Sequence, residues 1–154
     1  MQDLREFLSL KCAVDVLNCV HPIGHNPHKE ITESMGVIKR IKGMIISNPN
    51  KYNLIDLCAG NALTSILAIH LLPITSAYAV DKKSRNRRWE NARRFEYLTV
   101  DIYNQDIERI LLINKDSIII SVHACSNLSS RIIELYKQSQ AKALFLMPCC
   151  FGKI

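Results

Sequence analysis

The sequence LIDLCAGNAL, residues 54–63, decides the fold class of this chain. Its first letters are apolar around one acid, as in a buried β-strand; Gly60 then falls in a turn, and a helical pattern follows. A strand, a glycine turn and a helix form the unit that holds nucleotide-type ligands in α/β proteins. The turn has one glycine, flanked by Cys58 and Ala62. On its own, the stretch therefore fits either a cofactor site or a plain connection.

The rest of the chain continues this alternation of strands and helices. Two helices are expected before the first strand, one over residues 2–20 and one that begins at Asn26-Pro27, where asparagine caps and proline starts a helix. We predict strands at 53–58, 75–80, 98–100, 117–122 and 141–147, and helices from the glycine turn to Pro73 and at 84–97, 106–113 and 127–138. Such alternation indicates right-handed βαβ units and one open, parallel, doubly wound sheet.

Composition is that of a globular protein with one domain. The 154 residues are 48% hydrophobic and 22% charged, and we expect helices over 1–49 and an α/β core over 50–154. No apolar run approaches the roughly 20 residues that span a bilayer, and the first residues lack the apolar part of a secretory signal. The six cysteines have no disulfide-framework or zinc spacing, so we expect reduced thiols, no metal site and a cytoplasmic location.

Positive charge is concentrated in one segment. The formal net charge is +6, and the run DKKSRNRRWENARR, residues 81–94, holds seven basic residues and two acids. A helix with a solvated basic face is the ordinary explanation, and a surface that contacts nucleic acid is the more specific one.

Acidic residues follow the predicted strands at the carboxyl ends, where open parallel sheets bind ligands. Asp56 ends the first strand, Asp81 the second and Asp101 the third. Gly60 allows close approach of a ligand to the backbone, and the helix after it offers unpaired N–H groups. Asp81 lies 25 residues beyond Asp56, near the spacing at which an acid binds a ribose diol, because a carboxylate accepts two hydroxyl donors.

The residue types restrict which nucleotide fits. No Lys-Ser or Lys-Thr follows the glycine turn, which excludes a P-loop. A nicotinamide cofactor prefers three glycines, so that its pyrophosphate can lie on the helix start, and only Gly60 is present. Asp56 suits a ligand with a positive amine instead. S-adenosylmethionine has an amine, a ribose and an adenine, and no phosphate.

The turn resembles motif I of the class I S-adenosylmethionine-dependent methyltransferases, D/E-x-G-x-G-x-G, which here reads Asp56-x-Cys58-x-Gly60-x-Ala62. The resemblance covers about residues 50–150 and implies a Rossmann-like sheet of order 3-2-1-4-5 with S-adenosyl-L-methionine as cofactor. It also implies that Asp56 binds the methionine end of the cofactor, Asp81 its ribose and Asp101 its adenine. The cofactor residues that it implies are Asp56, Cys58, Ala59, Gly60, Asn61, Asp81, Lys82, Asp101, Ile102 and His123.

The end of the sequence resembles a narrower group of that superfamily. His-x-Cys at 123–125 and Pro-Cys-Cys at 148–150 are similar to the methyltransferase-like domain of the glutathione S-transferase C-terminal domain-containing protein and, more distantly, to a tRNA 2′-O-methyltransferase. With the basic run 82–94, taken as a helix, this favours RNA as the methyl acceptor. The sequence ends after the fifth strand, so the usual β6–β7 hairpin is not expected. The substrate face would then come from the N-terminal helices or from another chain, either a partner or a second copy, or it would be absent.

The catalytic candidates are His123, Cys125 and Cys149. Imidazole titrates near neutral pH, so His123 is either a general base or a side chain that only shapes the pocket. The cysteines are either nucleophiles for methylation at a pyrimidine carbon or, as we favour, small packing residues. Three functions stay open: a catalytic methyltransferase, a module that binds the cofactor without catalysis or needs a partner, and a nicotinamide-binding domain.

Overall fold

The computed structural model describes residues 2–148. Its strands are β1 (Asn53–Leu57), β2 (Ser76–Asp81), β3 (Phe95–Thr99), β4 (Ser117–Ser121) and β5 (Ala143–Leu146). They form one all-parallel sheet with the order β3-β2-β1-β4-β5. The doubly wound α/β class and the strand order predicted from the sequence are therefore confirmed.

Helices cover both faces of the sheet. They are α1 (Gln2–Ser9), α2 (Ala13–Val20), α3 (Pro27–Ser47), α4 (Leu63–Leu71), α5 (Ile107–Leu111) and α6 (Asn127–Gln138). One cluster of buried apolar residues joins the sheet to α1–α4, and a second joins it to α5 and α6. Strand β4, which lies between β1 and β5, is buried along its whole length, as its β-branched sequence predicts.

The N-terminal part contains three helices, so the prediction of two was wrong. A turn separates α1 from α2, in which Leu10 donates to the Phe7 carbonyl at 3.0 Å and Ala13 donates to the Leu10 carbonyl at 3.1 Å. Since α1 packs against α3 and α2 against α4, the break allows each short helix to bury its own apolar face. The start of α3 is as predicted: the Asn26 side chain accepts from the Lys29 N–H at 3.1 Å.

The basic segment 82–94 is not the helix that its charge pattern suggested. It is an irregular loop with one 3-10 turn at Trp89–Asn91, and β3 begins earlier than predicted. Ala92 is the only buried residue of this segment, so a helix there would have no apolar stripe to bury. Its polar side chains instead bind neighbouring loops; for example, Arg94 donates to the Ile74 carbonyl at 2.7 Å.

The other elements lie where they were predicted, and α6 has the predicted ends. Within residues 2–148 no strand follows β5, which is one edge of the sheet. No helix in the same part of the chain combines the length and the apolar character that a membrane span requires.

Candidate functional site

A cavity of about 570 Å³ lies at the carboxyl ends of the strands, within the size range of small-molecule sites. The turn after β1 and the residues after β2, β3 and β4 form one side of it. The connector between α2 and α3 and the start of α3 form the other. The structure brings all the predicted cofactor residues to this cavity: Asp56, Cys58, Ala59, Gly60, Asn61, Asp81, Lys82, Asp101, Ile102 and His123.

The turn after β1 has a left-handed backbone at alternate residues. Cys58, Gly60 and Ala62 have φ angles of 59°, 57° and 63°. These are the three positions at which motif I has glycine, the residue that adopts a positive φ without strain. A Cβ added to Gly60 would meet no atom within 4 Å, so there is free space above this part of the backbone. Two of the three residues with this left-handed backbone therefore carry a side chain.

Asp56 lies at the end of β1 and is 2% exposed. The hydroxyl of Ser65 in α4 donates to its Oδ2 at 2.7 Å. Burial raises the pKa of Asp56 to about 7, although the Ser65 hydrogen bond opposes the shift. This carboxyl is therefore partly protonated at neutral pH, and a bound cation would favour its ionised form.

Asp81 at the end of β2 is held by two backbone groups. The Gly60 N–H donates to Oδ2 at 2.9 Å and the Lys83 N–H donates to Oδ1 at 3.0 Å. An ionised carboxylate has about four acceptor positions, so two remain for a ligand. The first of these hydrogen bonds also fixes the carboxylate directly beside the glycine turn.

Asp101 and Ile102 follow β3 and border the cavity together. The Tyr103 N–H donates to Asp101 Oδ1 at 2.9 Å, which closes a tight turn. Ile102 is 3% exposed and belongs to the core on the α5 and α6 side of the sheet. The pair therefore presents an acidic group next to an apolar wall.

Asn61 is the centre of a hydrogen-bond network that the sequence did not reveal. Its Oδ1 accepts from Nε and Nη2 of Arg87 at 3.2 and 2.8 Å, and its Nδ2 donates to the Ile23 carbonyl. Its backbone carbonyl accepts from Nε1 of Trp89 at 3.2 Å. Asn61 thus ties the 82–94 loop and the connector before α3 to the turn.

Trp89 and Tyr97 pack on each other, and both side chains donate hydrogen bonds to the turn. Their rings are stacked, with centroids 3.8 Å apart and an interplanar angle of 10°. The Tyr97 hydroxyl donates to the Gly60 carbonyl at 2.8 Å. Burial, and then Asp81, raise the pKa of Tyr97 to about 12, so this hydroxyl keeps its proton and remains a donor.

The predicted catalytic residues differ in their placement. His123 follows β4 with its side chain 39% exposed, and its Nδ1 lies 3.4 Å from Oε2 of Glu33 in α3. Cys125 is half-buried and disulfide-bonded, so it is not a free thiol in this structure, contrary to the expectation of reduced cysteines. Cys149 lies outside the described residues, as does Cys150.

Cys58 is a free thiol that borders the cavity. Burial, and then the carboxylate of Asp81, raise its pKa to about 12. A thiol with such a pKa is protonated at neutral pH, so Cys58 contributes a neutral, polarizable wall rather than a nucleophile.

Several lining residues were missed because they belong to α3 and the connector before it. Glu30 and Ser34 border the cavity, and the Ser34 hydroxyl lies 2.8 Å from that of Thr64 in α4. Burial raises the pKa of Glu30, while His123 lowers it. A polar residue on an otherwise apolar helix stripe, such as Ser34, is the signal that would have pointed to this wall.

Comparison with protein-family models assigns most of the chain to one family. Residues 27–154, from the start of α3 to the end of the chain, match the family model described as a methyltransferase domain. Searches among curated proteins and among solved structures found no match. Since the family match covers most of the sequence, including the cavity residues that follow the strands, the chain belongs to the methyltransferase domain family.

Proposed function

We propose that this chain binds S-adenosyl-L-methionine in the cavity and transfers its methyl group to RNA, in particular tRNA. The observation that carries the cofactor assignment is the convergence of three carboxylates on one cavity. Asp56 and Asp81 lie at the carboxyl ends of β1 and β2, and Asp101 follows β3; these three strands are neighbours in the sheet. Carboxylates at these three positions suit a ligand with a positive charge and several hydroxyl donors.

In this proposal each acid binds one part of the cofactor. Asp56 is deeply buried and would bind the ammonium group of the methionine end. Asp81 would accept the two ribose hydroxyls at the positions that its backbone donors leave open. Asp101 and the apolar side chain of Ile102 would contact the adenine.

Two further features fit the same ligand. The space above Gly60 allows a ligand to lie directly on the backbone. Arg85 lines the cavity, and its Nε is buried without a hydrogen-bond partner in residues 2–148. A buried donor of this kind is satisfied by an anionic acceptor, and the α-carboxylate of the cofactor would supply one.

When bound, the cofactor supplies an electrophilic methyl group on a sulfonium. The contribution of the chain is to hold the acceptor in line with that group and to exclude competing water. His123 is our candidate for the residue that accepts a proton from the acceptor, because its imidazole borders the same cavity. A thiolate mechanism through Cys125 and Cys149 is not part of the proposal, since Cys125 is not a free thiol.

RNA is proposed as the acceptor because cations lie beside the acids. Four basic residues of the 82–94 loop line the cavity: Lys82, Lys83, Arg85 and Arg87. Arg88 and Arg93 are exposed farther along the same loop. Cationic side chains of this kind contact a phosphate backbone and account for most sequence-independent affinity for nucleic acid. The resemblance at 123–125 and 148–150 adds tRNA as the particular class.

The second candidate is a module that binds the cofactor but methylates only with a partner chain. It is favoured by β5, an edge strand whose four residues are each partly exposed. An unpaired strand edge can pair with a strand from another chain.

Calorimetry separates the candidate ligands. The protein would be titrated with S-adenosylmethionine, S-adenosylhomocysteine and NAD, with Asp81→Asn as the variant that should lose adenosyl binding. Binding of the two adenosyl ligands alone is the expected result. Binding of NAD alone would overturn the proposal and favour a nicotinamide-binding domain.

Transfer of a tritiated methyl group then tests catalysis. We expect incorporation into tRNA when the protein is incubated with labelled S-adenosylmethionine and total RNA. Label in protein but not in RNA would contradict the RNA assignment. Cofactor binding without label in either pool would favour the partner-dependent module.

A further inference from the structure

We propose that Glu33 orients the imidazole of His123 as a base, and that the methyl acceptor is therefore a hydroxyl or amine group with a proton to lose. The inference rests on the proposed function and narrows it. A nitrogen atom that has a free lone pair and no proton to lose needs no such base. Glu33 is a positioning residue here, because it acts through His123 and is not among the residues that line the cavity.

The carboxylate of Glu33 is placed behind the histidine. Its Oε2 lies 3.4 Å from Nδ1 of His123, and its Oε1 lies 3.8 Å from Nζ of Lys29, one turn earlier in α3. Oε2 is buried, and no residue within 2–148 donates a hydrogen bond to it. A buried, unpaired carboxylate oxygen is costly, and an N–H on Nδ1 of His123, 3.4 Å away, would satisfy it.

The imidazole lies between this carboxylate and the ligand space. His123 borders the cavity, whereas Glu33 does not. The hydrogen bond at one ring nitrogen determines which tautomer is present, so a proton on Nδ1 facing Glu33 leaves Nε2 without one. Nε2 has no hydrogen-bond partner among the described residues. The nitrogen that can accept a proton is thus the one left for the acceptor.

Glu30 does not duplicate the role of Glu33. It lies three residues earlier on the same face of α3, and its own side chain borders the cavity. Burial raises the pKa of Glu30, and the charge of His123 lowers it. Glu30 therefore faces the ligand, while Glu33 supports the base.

The O–H or N–H bond of the acceptor breaks, its proton moves to Nε2 of His123, and its electron pair forms the new bond to the methyl carbon. The carbon–sulfur bond of the sulfonium donor breaks, and its electron pair stays on sulfur, which becomes a neutral thioether. His123 becomes an imidazolium whose charge faces Glu33. A base oriented by a third group in this way is the arrangement that activates nucleophiles in many enzymes.

The first test is the tautomer of His123, measured by long-range ¹⁵N–¹H NMR on the full chain without cofactor. We expect the Nδ1–H form in the wild type and in Glu33→Gln, because the glutamine oxygen still accepts the hydrogen bond. We expect loss of that form in Glu33→Leu. Glu108→Leu, the same change at an exposed position of α5, should behave as the wild type. An unchanged tautomer in Glu33→Leu would overturn the inference.

The second test is the single-turnover rate of methyl transfer to tRNA. Glu33→Leu should lower the rate by about 100-fold, near the rate of His123→Ala, and the double variant should be no slower than His123→Ala alone. Affinity for S-adenosylhomocysteine should stay within about threefold of the wild type, since Glu33 is outside the cavity. A rate within twofold of the wild type for Glu33→Leu would contradict the role of Glu33.

The two tests separate this inference from the proposed function. Failure of the wild type to bind the adenosyl ligands, or to methylate tRNA, would refute the proposed function. The NMR result on the Glu33–His123 pair would stand independently, because it requires neither cofactor nor acceptor.

Discussion

At residues 58, 60 and 62 the backbone turns left-handed, and only the middle position is glycine. A non-glycine residue in this conformation costs roughly 1–2 kcal/mol. Strain of this size persists where the surrounding structure over-determines it, which is common at ligand sites. Here the hydrogen bonds that Asn61 makes with Arg87 and Trp89 provide that restraint.

Replacing Gly60 by alanine should lower the free energy of unfolding by about 1 kcal/mol, because its φ of 57° disfavours a side chain. It should also weaken S-adenosylhomocysteine binding, since the new Cβ would occupy the free space above the turn. Gly43→Ala is the control: Gly43 lies in α3 with no atom near its Cβ position, so alanine should raise stability by up to about 1 kcal/mol. Urea unfolding measures both. An equal effect at the two glycines would contradict this account.

The buried carboxyl of Asp56 makes stability depend on pH. Its pKa is about 7 in the folded state, against an ordinary value of 3.8 for an aspartic acid side chain. Between these values the folded protein binds a proton that the unfolded chain releases, so this residue lowers stability as pH rises through the window. Asp56→Asn should therefore gain stability relative to the wild type, by on the order of 2 kcal/mol more at pH 8 than at pH 5.

Urea unfolding of wild type and Asp56→Asn at the two pH values measures this difference. Ser65 can still donate to the asparagine oxygen, so the hydrogen bond at this site is retained. The variant should at the same time lose affinity for a ligand with an ammonium group. A stability difference that does not change with pH would show that burial does not raise the pKa as stated.

Among the elements, those with a strong local signal were predictable. The β-branched run at 117–121 and the amphipathic helix Asn127–Gln138 needed no information from the rest of the chain. The conformation of segment 82–94 could not be predicted from local sequence, because Trp89 and Arg94 bind backbone carbonyls of residues far away in sequence. Charge pattern suggested a helix there, and tertiary hydrogen bonds outweighed it.

The N-terminus of α3 has a cap that stability measurements can test. Asn26→Ala removes the side chain that accepts from the Lys29 N–H and should lower the free energy of unfolding by about 1 kcal/mol. Asn26→Asp keeps an acceptor and should recover most of the loss. Asn48→Ala, at the other end of α3, removes no capping side chain and should change stability by less than about 0.5 kcal/mol. A similar loss at Asn26 and Asn48 would contradict the capping role.

Across the whole molecule, the topology explains which part of the site was predictable. The acids and His123 lie at the carboxyl ends of strands or just after them. In a parallel sheet these ends lie on the same side, so sequence order alone brings the residues together. Glu33 and Tyr97 could not be found in this way. The contact of Glu33 with His123 depends on how α3 packs on the sheet, and that of Tyr97 with Gly60 depends on the pairing of β3 with β2.

The charge distribution predicts a salt-dependent affinity for RNA. Arg88→Ala and Arg93→Ala remove exposed cations of the 82–94 loop that do not line the cavity, so each should weaken tRNA binding and reduce the slope of log affinity against log salt by about 1. S-adenosylhomocysteine binding should not change. Lys115→Ala is the matched control. Lys115 is an exposed cation that precedes β4, at the amino-terminal ends of the strands and away from the cavity. Equal losses for the loop and control variants would mean that RNA binds without regard to this loop.

The stacking of Trp89 on Tyr97 has a practical consequence. The chain contains one tryptophan, and its indole is hydrogen-bonded to the carbonyl of Asn61, a residue that lines the cavity. Ligand binding should therefore change the intrinsic fluorescence of the unlabelled protein. The emission during a titration with S-adenosylhomocysteine should saturate at the Kd found by calorimetry, and Asp81→Asn should abolish the change. Constant emission while calorimetry registers binding would place the ligand away from this turn.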